Sequence, residues 1–387
     1  MNISNYCRWL AKKGINTICF IALFPTYFRP KRAIEKSKIN QILLINLQGI
    51  GDIVMTTPFL TALRKEFLKA EIHYLCYKGN GDVLEGDKRI NKILKRKEDN
   101  IFSKDFLNTI REIRSSNYDL IINLFPAQHS ALITVLSNAK YKLGNLYSTA
   151  STSNNLKIKK AEKTWDGRKN AKNIAEQLEL QEYNEAALSI TISSETKKEI
   201  EEFFKNERIN RSEKCIGINP NAMWISKNWP DEYWCMFIEQ LLKEKEYKKY
   251  QIVLFGGPGD KEHTEKIKEI IAKRVSEKEM RRIINIAGKL NLKQTAAALQ
   301  AMSLFITTDS GLLHIACAGG TKTIGLFGCT NPDILVRGNK WVEIVSSYSQ
   351  CPENFQFNHN NEPPDQKQEC MQKISVEEVF EKVKRII

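Results

Sequence analysis

The stretch TTDSGLLHIACAGGTKTIGLFGCTNP, Thr307 to Pro332, decides the reading of this chain. It runs as a buried strand, a sharp turn, a helix, a second buried strand and a second turn. The apolar run Leu304-Phe305-Ile306 leads into Ser310 and Gly311, where a helix begins. A helix start built from small residues offers unsatisfied backbone N–H groups at the positive end of the helix dipole, which suits a phosphate or diphosphate. His314 lies one turn further on, on a helix face shared with Ser310 or Gly311. Phe327-Gly328-Cys329-Thr330 closes the next strand with another small-residue turn. Two such turns side by side at the carboxyl edge of a parallel sheet form a nucleotide crevice. The plainer alternative is a strand–helix–strand unit with an ordinary cap.

The pattern extends in both directions. Gln41 to Leu47 (QILLINL) is an unbroken apolar run, as expected of a parallel strand covered on both faces. Thr57-Pro58 opens a helix, and strands are expected over Glu71–Tyr77, Ile90–Leu94, Asp119–Leu124 and Tyr141–Gly144. The second half repeats the scheme, with strands at Cys215–Asn219, Gln251–Phe255, Ile283–Ala287, Leu304–Thr308 and Thr323–Phe327. Such alternation predicts an α/β chain of two doubly wound parallel-sheet domains. The expected divisions are an N-terminal extension over 1–40, a first domain over 41–210, a second over 211–369 and a closing helix within 370–387. The boundary between domains falls at Asn210-Arg211-Ser212.

The 387 residues, 42% hydrophobic and 27% charged, exclude a disordered chain and suffice for two cores. Lys and Arg exceed Asp and Glu by 59 − 45, a net charge of +14. Residues 1–100 carry 18 Lys/Arg against 9 Asp/Glu, a surplus of +9. That excess suits an anionic partner. No zinc finger, RNA-recognition or helix-turn-helix pattern is present, so nucleic acid is the least favoured. Ile15 to Phe28 is apolar between Lys12, Lys13, Arg29, Lys31 and Arg32. As a helix it would reach only about 21 Å, and Pro25 interrupts it, so the expectation is not a span but an interfacial helix gripping anionic headgroups, or else a helix packed on the protein's own core. Nine scattered cysteines, an odd count, suit a reducing cytoplasm. Cys351, His359 and Cys370 border a polar segment that could be a metal knuckle, a local disulfide or a solvated loop with two separate thiols.

Three more motifs carry chemistry. LQGIGDIVMTTP (Leu47 to Pro58) follows the first strand, where Gly49 and Gly51 permit a tight turn and close ligand approach. Val54 occupies the third glycine position of a dinucleotide fingerprint, and no acidic residue ends the second strand, so a dehydrogenase is disfavoured. What remains is Asp52, either a general base aimed into a cleft or a helix N-cap. NPNAMWISKNWP places Lys227 between Trp224 and Trp229 at a strand exit, either a diphosphate ligand or a surface lysine. GGPGD (Gly256 to Asp260) ends the next strand, and Asp260 could accept hydrogen bonds from ribose hydroxyls.

Taken together, ILLINLQGIGDIVMTTPFLTALRKEF, INPNAMWISKNWP, IVLFGGPGD, NIAGKLNLKQTAAAL and the Thr307–Pro332 stretch resemble glycosyltransferase family 9, the ADP-heptose:lipopolysaccharide heptosyltransferases. The resemblance runs collinearly from about Gln41 to Pro332, with CMQKISVEEV also fitting. It implies the GT-B arrangement, two Rossmann-like domains facing across a cleft. Acceptor would bind the first domain and donor the second, and the last helix would cross back to the first. It implies inverting transfer of heptose from ADP-heptose to a Kdo/heptose–lipid A acceptor, with no metal and no cofactor beyond the nucleotide sugar. Asp52 matches the proposed catalytic base, within the turn holding Gly49 and Gly51. Lys227 matches the donor phosphate ligand. Asp260 matches an acidic, ribose-contacting position that is often Glu. Asp309, Ser310, Gly311 and His314 match the donor-binding turn and helix, with Ser310 where Thr is common. The implied partners are a nucleotide sugar, an anionic lipid-linked saccharide and the inner-membrane surface, without nucleic acid. The implied location is the cytoplasm, on the inner face of a bacterial inner membrane. The competing expectations are a same-fold transferase using another nucleotide sugar or a protein acceptor, and a non-catalytic nucleotide-sugar binder, against which Asp52 argues.

Overall fold

The computed structural model describes residues 32–97, 100–125, 127–144, 154–156, 167–210, 214–353 and 368–387. The Ile15–Phe28 segment, most of the Ser148–Lys163 loop, and His359 lie outside them. Among the described residues no helix is long and apolar enough to cross a membrane.

The chain divides into two compact units, Met1–Glu185 and Ala186–Ile387. The division therefore comes earlier than the Asn210-Arg211-Ser212 expected from the sequence. The helix Ser194–Asn206 explains the shift: it buries Ile200 and Phe204 and packs on the helix Leu292–Gln300 of the second unit. Its polar side is tied there as well, with Gln294 Nε2 donating to Glu199 Oε2 at 3.1 Å.

The first unit holds five parallel strands, β1 (Gln41–Ile45), β2 (Glu71–Tyr77), β3 (Lys92–Arg96), β4 (Leu120–Asn123) and β5 (Tyr141–Gly144). Their order across the sheet is β3-β2-β1-β4-β5. Ile42 of β1 is registered with Ile72 on one side and Leu120 on the other, and all three are fully buried. An apolar run without alternation is what helices on both faces of a central strand require. Strand β3 begins later than the expected Ile90, because the Asp87 carbonyl accepts from the Ile90 N–H and closes a turn there.

The second unit holds six parallel strands, β6 (Cys215–Asn219), β7 (Gln251–Leu254), β8 (Ile283–Asn285), β9 (Leu304–Thr308), β10 (Thr323–Phe327) and β11 (Val342–Ser346). Their order is β11-β10-β9-β6-β7-β8. Each sheet thus places its first strand centrally, the next two to one side and the later ones to the other, the doubly wound Rossmann order. Strand β11 was not anticipated; it is an edge strand whose Glu343 and Ile344 face solvent, so it lacks the apolar run that marks the others.

Three rings anchor the second core: Trp229 lies edge-on to Trp234 with centroids 4.9 Å apart and to Phe237 at 6.1 Å. Trp229 Nε1 donates to the Ile374 carbonyl at 2.9 Å. The final helix Val376–Ile386 was expected to pack back on the first domain. Instead its apolar stripe of Val376, Val379, Phe380 and Val383 joins this core, with Phe380 edge-on to Phe237 and Tyr247. The physical reason is the aromatic surface that the helix Asp231–Lys243 and Tyr247 leave for it. Cys351 and Cys370 form a disulfide, buried beside Cys329. Of the alternatives open for those two thiols, the pairing is what the structure contains.

Candidate functional sites

In the first unit, β1 ends at Ile45 and the chain turns through Asn46 to Gln48 into the short helix Ile50–Met55. Gly49 is the N-cap, with φ −67° and ψ 170°, an extended conformation open to any residue. Gly51 falls inside the helix, so the tight glycine turn expected here is a helix start. Asp52 sits in the first turn, where the helix dipole favours a carboxylate. The N-cap is Gly49, which has no side chain to cap the helix, and Asp52 lies three residues on.

A buried polar cluster fixes that helix from below. Asn46 Nδ2 donates to the Asp52 carbonyl at 3.3 Å and to the Tyr74 hydroxyl at 3.1 Å. Thr56 Oγ1 donates to the Ile53 carbonyl at 2.8 Å and lies 3.0 Å from the Tyr74 hydroxyl. Burial pushes the Tyr74 phenol well up, so it stays a neutral hydrogen-bonding group. From β2's side, Asn80 Nδ2 holds the Gln48 carbonyl at 2.9 Å.

In the second unit the sites expected from sequence converge at the carboxyl ends of adjacent strands. Asn219 ends β6 and is the register partner of Thr307 on β9. Asn219 Nδ2 donates to Thr307 Oγ1 at 3.1 Å, Ser310 Oγ at 3.2 Å and the Asn221 carbonyl at 2.9 Å. Ser310 is the N-cap of the helix Gly311–Gly319, with its side chain turned to Asn219 and Thr307 rather than to the helix. The helix's first-turn N–H groups therefore begin at a cap whose hydroxyl is engaged elsewhere.

Lys227 closes a 3₁₀ turn, Ile225–Lys227, tethered by the buried Trp229. Its ammonium reaches Asp309 Oδ2 at 2.7 Å, so two residues expected to act separately on a donor form one ion pair. Burial alone pushes the Asp309 carboxyl up, but Lys227, His314 and the Thr330 hydroxyl outweigh it and hold it below the usual carboxylate range. His314 is buried one turn into the helix. The two turns expected side by side, at Ser310 and Thr330, are thus joined through Asp309.

Asp260 departs in part from its expected role. Its Oδ2 accepts from the Gly257 N–H at 2.7 Å, which fixes its own turn. Gly256 is required by close approach: a Cβ there would lie 2.9 Å from the Asp260 Cβ and 3.1 Å from Asn221 Nδ2. Asn46, Tyr74, Asn219, Asn221 and Thr330 were missed from sequence. The signal for two of them was present, since an Asn at the end of an otherwise apolar strand run recurs in ILLINL and CIGINP.

Two parallel Rossmann-like sheets, with a carboxylate turn in one and a lysine beside a helix terminus in the other, are the architecture of the GT-B class of glycosyltransferases. A family model described as glycosyltransferase family 9 (heptosyltransferase) matches residues 106–364. Lipopolysaccharide heptosyltransferase 3 of Escherichia coli (strain K12) is 26% identical over 324 residues, 80% of this chain and 89% of that protein. A crystal structure of a family 9 glycosyl transferase from Veillonella parvula superposes with a TM-score of 0.74 at 23% identity, covering 92% of this chain and 98% of that one. An E. coli heptosyltransferase solved with ADP-2-deoxy-2-fluoro heptose superposes at 0.63 with 16% identity, covering 89% and 99%. At these identities the two structures attest the fold. The chain belongs to glycosyltransferase family 9.

Proposed function

We propose that this protein transfers heptose from ADP-heptose to a lipopolysaccharide core acceptor, with inversion and without a metal. The observation that supports it most is the Lys227–Asp309 pair beside the N-terminus of the helix Gly311–Gly319, at the point where strand order reverses between β6 and β9. That pair and those N–H groups suit a nucleoside diphosphate. The matched relatives, named as lipopolysaccharide heptosyltransferases, support the sugar and the acceptor.

In this reading Asp52 takes the proton of the acceptor hydroxyl as its oxygen bonds to the anomeric carbon and the carbon–oxygen bond to the diphosphate breaks. ADP departs with the bonding pair, and attack from the opposite face inverts the anomeric centre. Lys227 and the N–H groups around Ser310 and Gly311 neutralise the charge growing on the diphosphate, work that fixed donors perform at low reorganisation cost. A general base contributes about 10²–10⁴-fold. Asp260 and His314 complete the nucleotide side. The basic segment 1–32 holds the protein at the anionic inner-membrane face; its deletion should move the protein to the soluble fraction, and an unchanged distribution overturns that part.

Nucleotide release tests the reading. ADP release that needs both ADP-heptose and a Kdo–lipid A acceptor, and survives a chelator, is expected. Release from a UDP- or GDP-sugar alone would discard the heptose assignment, release from ADP-heptose only with a protein acceptor would discard the lipid one, and loss with chelator would overturn metal independence.

A further inference from the structure

Two arms flank the proposed donor cradle. One is the 3₁₀ turn Ile225–Lys227, and the other is the turn Gly328-Cys329-Thr330 after β10, whose Thr330 hydroxyl bonds Asp309. Both rest on one short segment late in the chain, residues 370–374. Trp229, which tethers the Lys227 turn, donates from Nε1 to the Ile374 carbonyl at 2.9 Å. The other arm packs on Met371 with no room for a methyl group: a Cβ on Gly328 would lie 2.6 Å from Met371 Sδ and 2.9 Å from the Met371 nitrogen. Between the arms, Cys329 is buried in one cluster with the Cys351–Cys370 disulfide, and its Sγ donates to the Ser226 carbonyl at 3.4 Å, one residue before Lys227.

The two ends of this floor are held differently. Met371 and Ile374 lie in the second core with the apolar stripe of the final helix. The Cys370 end is fastened to the exit of β11: Cys370 is bonded to Cys351, its carbonyl accepts from the Ser347 hydroxyl, and the exposed Lys373 ammonium donates to the Gln350 carbonyl. The Ser347 N–H in turn donates to the Phe327 carbonyl at 3.0 Å, at the foot of the Gly328-Cys329-Thr330 turn. Of these ties the disulfide alone is covalent, and water competes for the others. Burial pushes the Cys329 thiol up, so it remains a hydrogen-bond donor and not a nucleophile toward the disulfide beside it.

We propose that Cys351 and Cys370 are positioning residues for the donor: while bonded to each other they hold the 370–374 floor under both arms, and reduction lets the Gly328-Cys329-Thr330 turn shift, loosens the seat of Asp309 and Lys227, and weakens nucleotide binding. This rests on the reading that the second domain binds the donor nucleotide. The redox step balances. Two electrons and two protons pass from a dithiol to the S–S bond, which leaves two protein thiols while the dithiol closes to a cyclic disulfide. Glutathione disulfide reverses the step and leaves as two glutathione thiols.

Calorimetric titration with ADP reads the effect on the full chain, first oxidised, then treated with dithiothreitol, then reoxidised with glutathione disulfide. Affinity should fall about tenfold on reduction, the worth of one charge-assisted hydrogen bond at the diphosphate, and return on reoxidation. The double variant Cys351→Ser, Cys370→Ser should bind ADP at the reduced level and respond to neither reagent. Gly328→Ala forces Met371 aside with the disulfide intact, and should weaken ADP binding to a similar degree. A cross-link that serves stability alone would lower the urea midpoint on reduction and leave the ADP affinity of the folded protein unchanged. Should reduction unfold the chain, Gly328→Ala decides. Equal affinity in the oxidised and reduced wild type, wild-type affinity in Gly328→Ala, or failure of glutathione disulfide to close the pair overturns the inference alone. Failure of the oxidised wild type to bind ADP overturns the donor-site reading, and this inference with it.

Discussion

The Lys227 ammonium lies 2.7 Å from Asp309 Oδ2, with only 15% and 7% of the two side chains exposed. The lysine proposed as a diphosphate ligand is thus held in place by a carboxylate of the protein, on the strand turn that leads into the helix Gly311–Gly319. In the proposed reaction a diphosphate arriving at this corner meets an ammonium already oriented.

Breaking this pair from one side should harm more than removing both members. Lys227→Met leaves Asp309 buried without its cation, a loss of about 3 kcal/mol at this exposure. Adding Asp309→Asn should restore most of that stability in urea unfolding while turnover stays absent. Full recovery of ADP release in the double variant would remove the pair from the reaction.

Asp309 also sets an acid limit on stability. Its carboxyl is held below the ordinary range in the folded chain. The stabilisation is complete above the unfolded-state value and disappears as pH falls through the folded one. Unfolding curves between about pH 3 and pH 7 should therefore steepen toward acid in the wild type and flatten in Asp309→Asn. Parallel curves would mean that the pair contributes nothing to folding.

Asp52→Asn keeps the size of the side chain and the carbonyl that Asn46 holds, but cannot take a proton. Turnover should fall by about 10²–10⁴-fold with ADP affinity unchanged. Loss of both would indicate that the helix Ile50–Met55 had moved. Retained turnover would remove Asp52 as the base.

The Cys351–Cys370 disulfide closes a loop with a sequence separation of 19. Cys351→Ser should cost about 3 kcal/mol, and reductant should cost the wild type the same. Thiol counting on oxidised, denatured protein should find both residues unreactive; two reactive thiols would exclude the pairing.

Much of the fold could be read from the strands, because parallel strands covered on both faces announce themselves as unbroken apolar runs such as QILLI and LFITT. The edge strand β11 could not, since Glu343 and Ile344 break that pattern with exposure. Asp52, Lys227, Asp309 and Ser310 were legible as residue types at strand exits. Their pairing was not: Lys227 and Asp309 are far apart in sequence, and spacing says nothing of which exits lie side by side. The destination of the final helix was also hidden. Val376, Val379, Phe380 and Val383 form an evident stripe, but a stripe does not name the surface it covers.

The central place of β6 has a consequence for biosynthesis. Strand β6 pairs first with β7, close behind it, but its other edge waits for β9, with Asn219 opposite Thr307. Until Leu304–Thr308 has left the ribosome, one side of β6 presents unpaired backbone groups, and long-range pairings of this kind form slowly. The Asn219 contacts with Thr307 and Ser310 can close only at that late step. The proposed nucleotide cradle is thus among the last parts of the second domain to exist, and a truncated or stalled chain would carry an open strand edge where a finished one carries a closed sheet.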